Sequence, residues 1–366
     1  MFHGRKNGAP EVPFFFLDIM KRVKYLLILL ASFAAVAASA QDLPSRFDVK
    51  FKSKSHVQGV AVDTVGRCFY LSFTTSLVKC DYSGNVLASI DSINGHLGAL
   101  CFDAASRRVY ATLEHKDDEI GRGIAERLGA EAYSREGSRF YIASCDASLE
   151  GGLTLYEVDE ARDDYKTRYG CSGIDGITIA PKIGSSPGKP CLYVAYGIYG
   201  DISRSDNDNQ ILLEYRLDRF KGGRSPRPSA RYFIYTGNTN YGVQNLCYDA
   251  ATGCIFMAAY AGSKPEFPNY SLFAVPVAQK PVKQVPAGLS GCKQLTLGLW
   301  QQGLLSSVKG IRGWRFSDAA TGFCTLGNGT WYVATPKKLL GKRQTATVRR
   351  LRWKGGPSES PFEAVR

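Results

Sequence analysis

Two carboxylates stand where the surrounding pattern calls for apolar residues. Glu114 closes the run RVYATLE, and Asp175 lies inside GIDGIT. A carboxylate in such company must be paired, hydrated or ligand-bound, because burying it alone is prohibitive. Two acids flanking a glycosidic bond can act as general acid and as base or nucleophile, and their separation decides inversion or retention. Salt bridges to a nearby Arg or Lys would explain the same two residues structurally. His56, Gln58, His96, Gln244 and Asn245 open comparable segments, and Tyr196 and Tyr260 close others. Such groups suit the orientation of a polar ligand, with tyrosine rings stacking on sugars and their hydroxyls hydrogen-bonding. Glu114 and Asp175 are therefore the catalytic candidates, and the other seven are ligand-binding candidates. The histidines could equally bond a neighbouring backbone, and tyrosines in an all-β chain also simply pack.

Residues this far apart need a scaffold that returns the chain to one place, and a repeated phrase supplies it. QGVAVD (58–63), GALCFD (98–103), DGITIA (175–180), QNLCYD (244–249) and TGFCTL (321–326) share a small, slim core. Each is followed by β-branched and aromatic runs bounded mostly by turn residues. The units read as four-stranded blades. RCFYLSFTT, SLVKCDYSG and NVLASID complete the first; RRVYATLEH, RFYIASCD and LTLYEVD complete the second. CLYVAYG, QILLEYRLD and ARYFIYTG complete the third, and CIFMAAY, YSLFAVPV and a weak VKQVPA the fourth. The fifth has TWYVATP and ATVRRLRW and lacks a strand, which FDVKFKS (47–53) can supply to close a ring.

The expected fold is therefore all-β, a single β-propeller of five four-stranded blades, with six as the alternative and 286–315 as the place for an extra blade. Wedge-shaped blades crowd at the axis, so only slim residues fit the innermost strand at interior packing density. The Asp that ends three of the phrases opens a hairpin, where its side chain caps backbone N–H groups. Only GIAERLGAEAY (123–133) has the composition of a helix. Segments before each inner strand and after each second strand should converge on one axial mouth. The longer insertions (115–137, 198–209 and 261–269) fall on that side, while hairpins such as DTVGR and DAATG are short. Exit positions Thr74, His115 and Thr335 join the candidate mouth, as do Tyr199, Tyr241 and Tyr270 of the aromatic set.

The phrases HVQGVAVD, GHLGAL, CSGIDGIT, YGVQNL and FPNYSLF resemble a family of exported bacterial β-propeller proteins, and more distantly the NHL and TolB-like propellers. The resemblance covers residues 41–366 for the most part. It implies the fold and carries no activity.

Residues 20–40 read as a secretory signal: a basic start (Lys21, Arg22, Lys24), a short apolar run, then Ala38-Ser39-Ala40. Residues 1–19 read as an upstream extension, and 41–366 as a single periplasmic or secreted domain without a later membrane span, expected to be a monomer. The formal net charge of +13 is concentrated in KKLLGKRQTATVRRLRWK (337–354). Its core alternates as a strand does, so a solvated strand face is favoured over a nucleic-acid site. Of the ten cysteines, Cys101, Cys247 and Cys324 recur within the phrase and Cys68, Cys191 and Cys254 open the strand after it, where they behave as small hydrophobes. Cys247 and Cys254 alone could bridge a hairpin. No CxxC or Cys/His array suggests zinc, and no nucleophile elbow, Walker loop or dinucleotide fingerprint is present. Asp201, Asp206 and Asp208 could take Ca²⁺, although EF-hand spacing is missing and a solvated loop is the plainer reading.

The leading expectation is an exported propeller binding a small or carbohydrate-like ligand at its polar face, with hydrolase or lyase chemistry by Glu114 and Asp175. Its alternatives are a non-catalytic module for a protein or cell-wall partner, and a calcium-dependent enzyme.

Overall fold

A computed structural model describes residues 43–166, 173–185, 188–197, 201–204 and 206–365; the leader, Cys171 and Tyr199 lie outside them. Five sheets carry the innermost strands Val57–Asp63, His96–Asp103, Gly176–Pro181, Thr239–Asp249 and Phe323–Thr325. Each pairs antiparallel with the strand that follows it. All five surround one narrow void of about 130 Å³, lined by Leu100, Cys101, Thr178, Cys247, Phe323 and Cys324 among others. That shared lining makes the assembly a five-bladed propeller.

Ring closure follows the expected route. Arg46–Asp48 pairs antiparallel with Gln344–Trp353, setting Phe47 against Val348, and Ser53 bridges Gln344. A last strand, Phe362–Ala364, adds to the same sheet.

Blade four departs from expectation. Its sheet has three strands, with a bridge from Leu272 to Trp314 at the outer edge. The segment read as its fourth strand, Val282–Gln284, instead pairs with Gln294–Leu297 and extends blade three outward. A tryptophan-rich core explains the choice. Trp300, Trp314, Trp331 and Trp353 pack around Phe256, and Trp314 fills the edge that a weak, polar VKQ could not. The stretch 286–315 holds this edge structure and no sixth blade.

The helix also shifts. Helix α1 spans Glu119–Leu128, starting earlier than its composition suggests because Asp118 accepts a hydrogen bond from Gly121 N. It stops at Gly129, whose φ of 64° is the usual left-handed cap. A second short helix, α2 (Asp159–Lys166), follows blade two; Val158, Ala161 and Tyr165 form its buried stripe within an otherwise charged run. Among the described residues no helix is long and apolar enough to cross a membrane. The described cysteines are free. No bridge joins Cys247 to Cys254, because Cys254 faces Asp249 and Cys247 faces Phe256 across the hairpin.

Candidate active site at the axial mouth

Antiparallel pairing within each blade places the start of an inner strand beside the end of the next. His96 lies directly opposite Glu114, Asn240 opposite Tyr260, and Gly176, next to Asp175, opposite Ala195. Register shifts interrupt the inner strands of blades one, two and four near these ends. Such bulges re-aim side chains. Glycine permits the close approach that results: a Cβ at Gly98 would lie 2.4 Å from Thr112 Oγ1 and 2.5 Å from Asp175 Oδ1.

The mouth is a cavity of about 900 Å³, within the size range of small-molecule sites. His56, Gln58, Thr74, His96, Asp175, Gln244 and Tyr260 all line it, delivered by blades one to four. One amide organises the upper wall. Gln58 Nε2 lies 3.1 Å from His56 Nε2 and 3.0 Å from His96 Nε2, with Thr74 Oγ1 at 3.3 Å. The Gln58 amide nitrogen carries two hydrogens for these three neighbours, so it can donate to two of them at a time.

Beneath lies a buried charge cluster. His96 Nδ1 is 3.6 Å from Glu114 Oε2 and 3.5 Å from Asp175 Oδ1. Lys116 Nζ is 2.9 Å from Glu114 Oε2 and 3.1 Å from Asp118 Oδ2. Ile174 N donates to Glu114 Oε1, and Gln244 Nε2 reaches Asp175 Oδ2 at 3.4 Å. Glu114 is 1% exposed and Asp175 6%. The two acids are nonetheless driven apart. Burial opposes ionisation of Glu114, but Lys116 and His96 outweigh it and hold the carboxyl down at about 2. Burial and then the Glu114 charge push Asp175 up to about 7. Burial lowers His56, with His96 adding to the effect. Asp175 Oδ1 and His96 Nδ1 are buried without a hydrogen-bond partner.

Other expected residues go elsewhere. Glu114 is under the floor and does not line the cavity. Tyr196 is fully buried between blades two and three, its hydroxyl donating to Asp164 Oδ2 at 2.6 Å. It therefore corrects the expectation of a ligand contact, because α2 brings it a partner outside the axis. Asn245 is structural, donating to the backbone oxygens of Gln58 and Ala320 and so tying blades four, one and five together. Tyr270 packs on Phe273 under Arg315. His115 stacks on Tyr133 with centroids 4.4 Å apart, and Thr335 does not line the cavity.

Lys116 is the residue that the sequence reading missed. Extended backbone sends alternate side chains the same way, so Glu114-His115-Lys116 could have shown it: His115 turns out, and Lys116 follows Glu114 in. Helix α1 adds Ile120, Gly123, Glu126 and Arg127 to the rim, which no strand pattern could place.

Two cation sites can be weighed. His96, Glu114 and Asp175 offer one nitrogen and two oxygens within 4.8 Å of one another, a set able to hold a metal ion. The Lys116 ammonium already supplies positive charge at the same Glu114 oxygen. The 201–208 aspartates do not converge. Asp201 caps Ser203, Asp206 pairs with Arg204, and Asp208 pairs with Lys264 at 2.8 Å. Lys264 also bonds Asn207 Oδ1 and the Arg204 carbonyl, so an ammonium stands where a calcium-binding loop would need its ion.

Fold and site together define a β-propeller with a polar axial cavity. No sequence family matches the chain, and neither does any curated protein. Several solved structures are similar to it at low identity. The PQQ-bound aldose sugar dehydrogenase of Streptomyces coelicolor is 12% identical with a TM-score of 0.35, over 82% of this chain and 97% of that one. A native arabinanase of Bacillus subtilis is 11% identical with a TM-score of 0.41, over 83% and 97%. The β-propeller domain of Cps50 from Myceliophteria thermophila is 8% identical with a TM-score of 0.31, over 80% and 83%. Likeness of this degree carries neither substrate nor cofactor across.

Proposed function

We propose that the chain is an exported, monomeric enzyme that binds a small carbohydrate-like ligand in the axial cavity and cleaves it by hydrolysis or elimination. One observation supports this reading above the rest: an acid on the cavity lining, Asp175, and a second beneath it, Glu114, are driven in opposite directions by their surroundings. Paired titratable groups pushed apart in this way are how acid and base roles are assigned at neutral pH.

Glu114 has no path to the ligand, so a two-carboxylate mechanism acting on substrate from both faces does not fit. Asp175, protonated below about 7, delivers its proton to the leaving oxygen. His56, kept neutral by burial, takes the proton from the attacking water or from the carbon that loses it. The Glu114–Lys116 pair stays charged and fixes the proton affinity above it. His96 and Gln58 hold the geometry, and Gln244 orients Asp175. Export rests on the basic, apolar and Ala-x-Ala order of residues 20–40.

The test is turnover of a broad oligosaccharide panel by the chain from Gln41 onward. Asp175→Asn should lower kcat by about 10²- to 10⁴-fold, the usual contribution of a positioned general acid, while binding of the same oligosaccharide persists. Full turnover by this variant would discard the mechanism. Binding without turnover by the parent chain would instead favour a non-catalytic module.

A further inference from the structure

Beside the axial cavity lies a smaller basin of about 280 Å³. Lys54 and Arg127 line both, so the two spaces adjoin. The ring-closing stretch builds part of the basin. Ser53 exchanges backbone hydrogen bonds with Gln344, and alternation along extended backbone buries Ser53 and Ser55 while exposing Lys52 and Lys54. Arg343, the residue before Gln344, joins the same lining. Helix α1 adds its last turn, where Arg127 Nε donates to Gly123 O at 3.0 Å.

The charges of cavity and basin differ. In the axial cavity Lys54, Lys116 and Arg127 are offset by Glu119, Glu126 and Asp175. Lys52, Lys54, Arg127 and Arg343 line the basin, and among the described residues Asp91 is its one carboxylate. Asp91 accepts from Ser89 Oγ at 2.7 Å. Neither Lys52 nor Lys54 has an ion-pair partner among the described residues. Cations gathered without counter-charge raise the local potential and draw in anions. The rest of the lining is not that of a bare ion site. Phe51 contributes an apolar surface, packed on Phe73 with centroids 5.3 Å apart, and the buried Ser76 contributes a hydroxyl.

We propose that the basin is a subsite for an anionic sugar residue, a uronate or a sulfate ester, whose neighbour in the same chain occupies the axial cavity. Such a residue presents C–H surface, hydroxyls and a fixed negative charge, and the basin answers each. The Arg343 guanidinium suits paired oxygens of a carboxylate or sulfate, and the lysines act as point charges beside it. The charge difference also gives the bound chain a direction, with its acid in the basin and its reacting bond at Asp175. The inference deepens the axial-cavity reading and rests on it.

The decisive variant is Lys52→Gln with Arg343→Gln in the chain from Gln41 onward. Both residues are exposed and neither lines the axial cavity, so melting temperature and binding of neutral glycans should hold. A printed array of neutral, uronate and sulfated oligosaccharides should show the parent chain preferring acidic ones. Affinity for the best acidic binder should fall about tenfold in the double variant, the combined worth of two exposed ion pairs at their upper range. Added salt should weaken that binding in the parent and much less in the variant. Lys280→Gln with Lys283→Gln removes the same charge at exposed positions near the outer strand of blade three and should change nothing. Capture of uronate chains, sulfated chains or both would support the basin and identify its anion. Parent-level acidic binding in the Lys52–Arg343 variant, an equal loss in the control pair, or binding confined to neutral glycans would overturn the basin and leave the axial cavity standing. No binding to any glycan would overturn both.

Discussion

The two ends of the inner strands treat buried aspartate in opposite ways. At the hairpin face Asp63 and Asp249 are 2% and 0% exposed, and Asp175 at the mouth is 6% exposed. Asp63 Oδ1 accepts Gly66 N at 2.8 Å, and its other oxygen meets Arg107 at 2.7 Å. Asp249 Oδ2 accepts Thr252 N at 3.0 Å, and its Oδ1 accepts Thr325 Oγ1 at the same distance. In each, one oxygen is satisfied by its own hairpin turn and the other by a neighbouring blade, Arg107 for Asp63 and Thr325 for Asp249. Asp175 has a long contact from Gln244 on one oxygen and a bare second oxygen facing His96. Buried polar groups are normally paired, so the difference separates carboxyls the fold consumes from one it holds in reserve. Burial alone marks neither.

The largest effect expected outside the reacting groups concerns the pair under the floor. Glu114→Gln takes away the carboxylate nearest the buried Lys116 ammonium, with Asp118 remaining at 3.1 Å. Removing one partner of a buried pair typically costs about 3–5 kcal/mol. Chemical denaturation should show a loss of that order, and Glu114→Gln with Lys116→Met should recover much of it. A single variant as stable as the parent would mean that the pair is solvated. The pH dependence follows with its sign. The Glu114 carboxyl is depressed, so its stabilisation is present above the ordinary value of 4.5 and is lost as pH falls toward about 2.

Turnover should follow a narrower window. Asp175 is active as the acid form, lost as pH rises through about 7. His56 is active as the neutral base, lost as pH falls below a value under 6.5. The profile of kcat/KM should therefore be a bell, with its alkaline limb falling about tenfold per pH unit. Asp175→Asn should abolish that limb in whatever activity remains. An alkaline limb that survives unchanged would assign it to another group.

Much of this was open to sequence reasoning, for reasons that individual residues make plain. Five slim phrases mark five inner strands because wedge packing excludes bulk, and antiparallel pairing then puts His96 opposite Glu114 without further information. The fourth blade was harder. Its outer edge is filled by Trp314, a residue remote in sequence and held by aromatic packing that no strand period encodes. Tyr196 was misplaced because its position at the end of a strand is right while its hydroxyl is held by Asp164 on α2. Lys116 stood two residues from a suspected acid and could have been read. Whether a carboxyl finds a partner for both oxygens, as Asp249 does in its own turn and on blade five, or for only one, as Asp175 does, depends on loops whose geometry the strands do not determine.

The smallest effect provides the cleanest contrast, because one chemical change is made at both ends. Asp249→Asn keeps a carbonyl oxygen for the Thr252 N–H, and asparagine caps turns about as well as aspartate. Its amide nitrogen must then meet Thr325 Oγ1, a hydroxyl that can rotate to accept. Stability should fall by about 1 kcal/mol, the net worth of an ordinary hydrogen bond that is rearranged here and not lost, and turnover should be unchanged. The same substitution at Asp175 removes the acidic proton and should leave melting temperature near the parent while turnover collapses. Were Asp249→Asn to impair turnover as severely, the hairpin carboxyls would share the function of the mouth, and the division between consumed and reserved acids would fail.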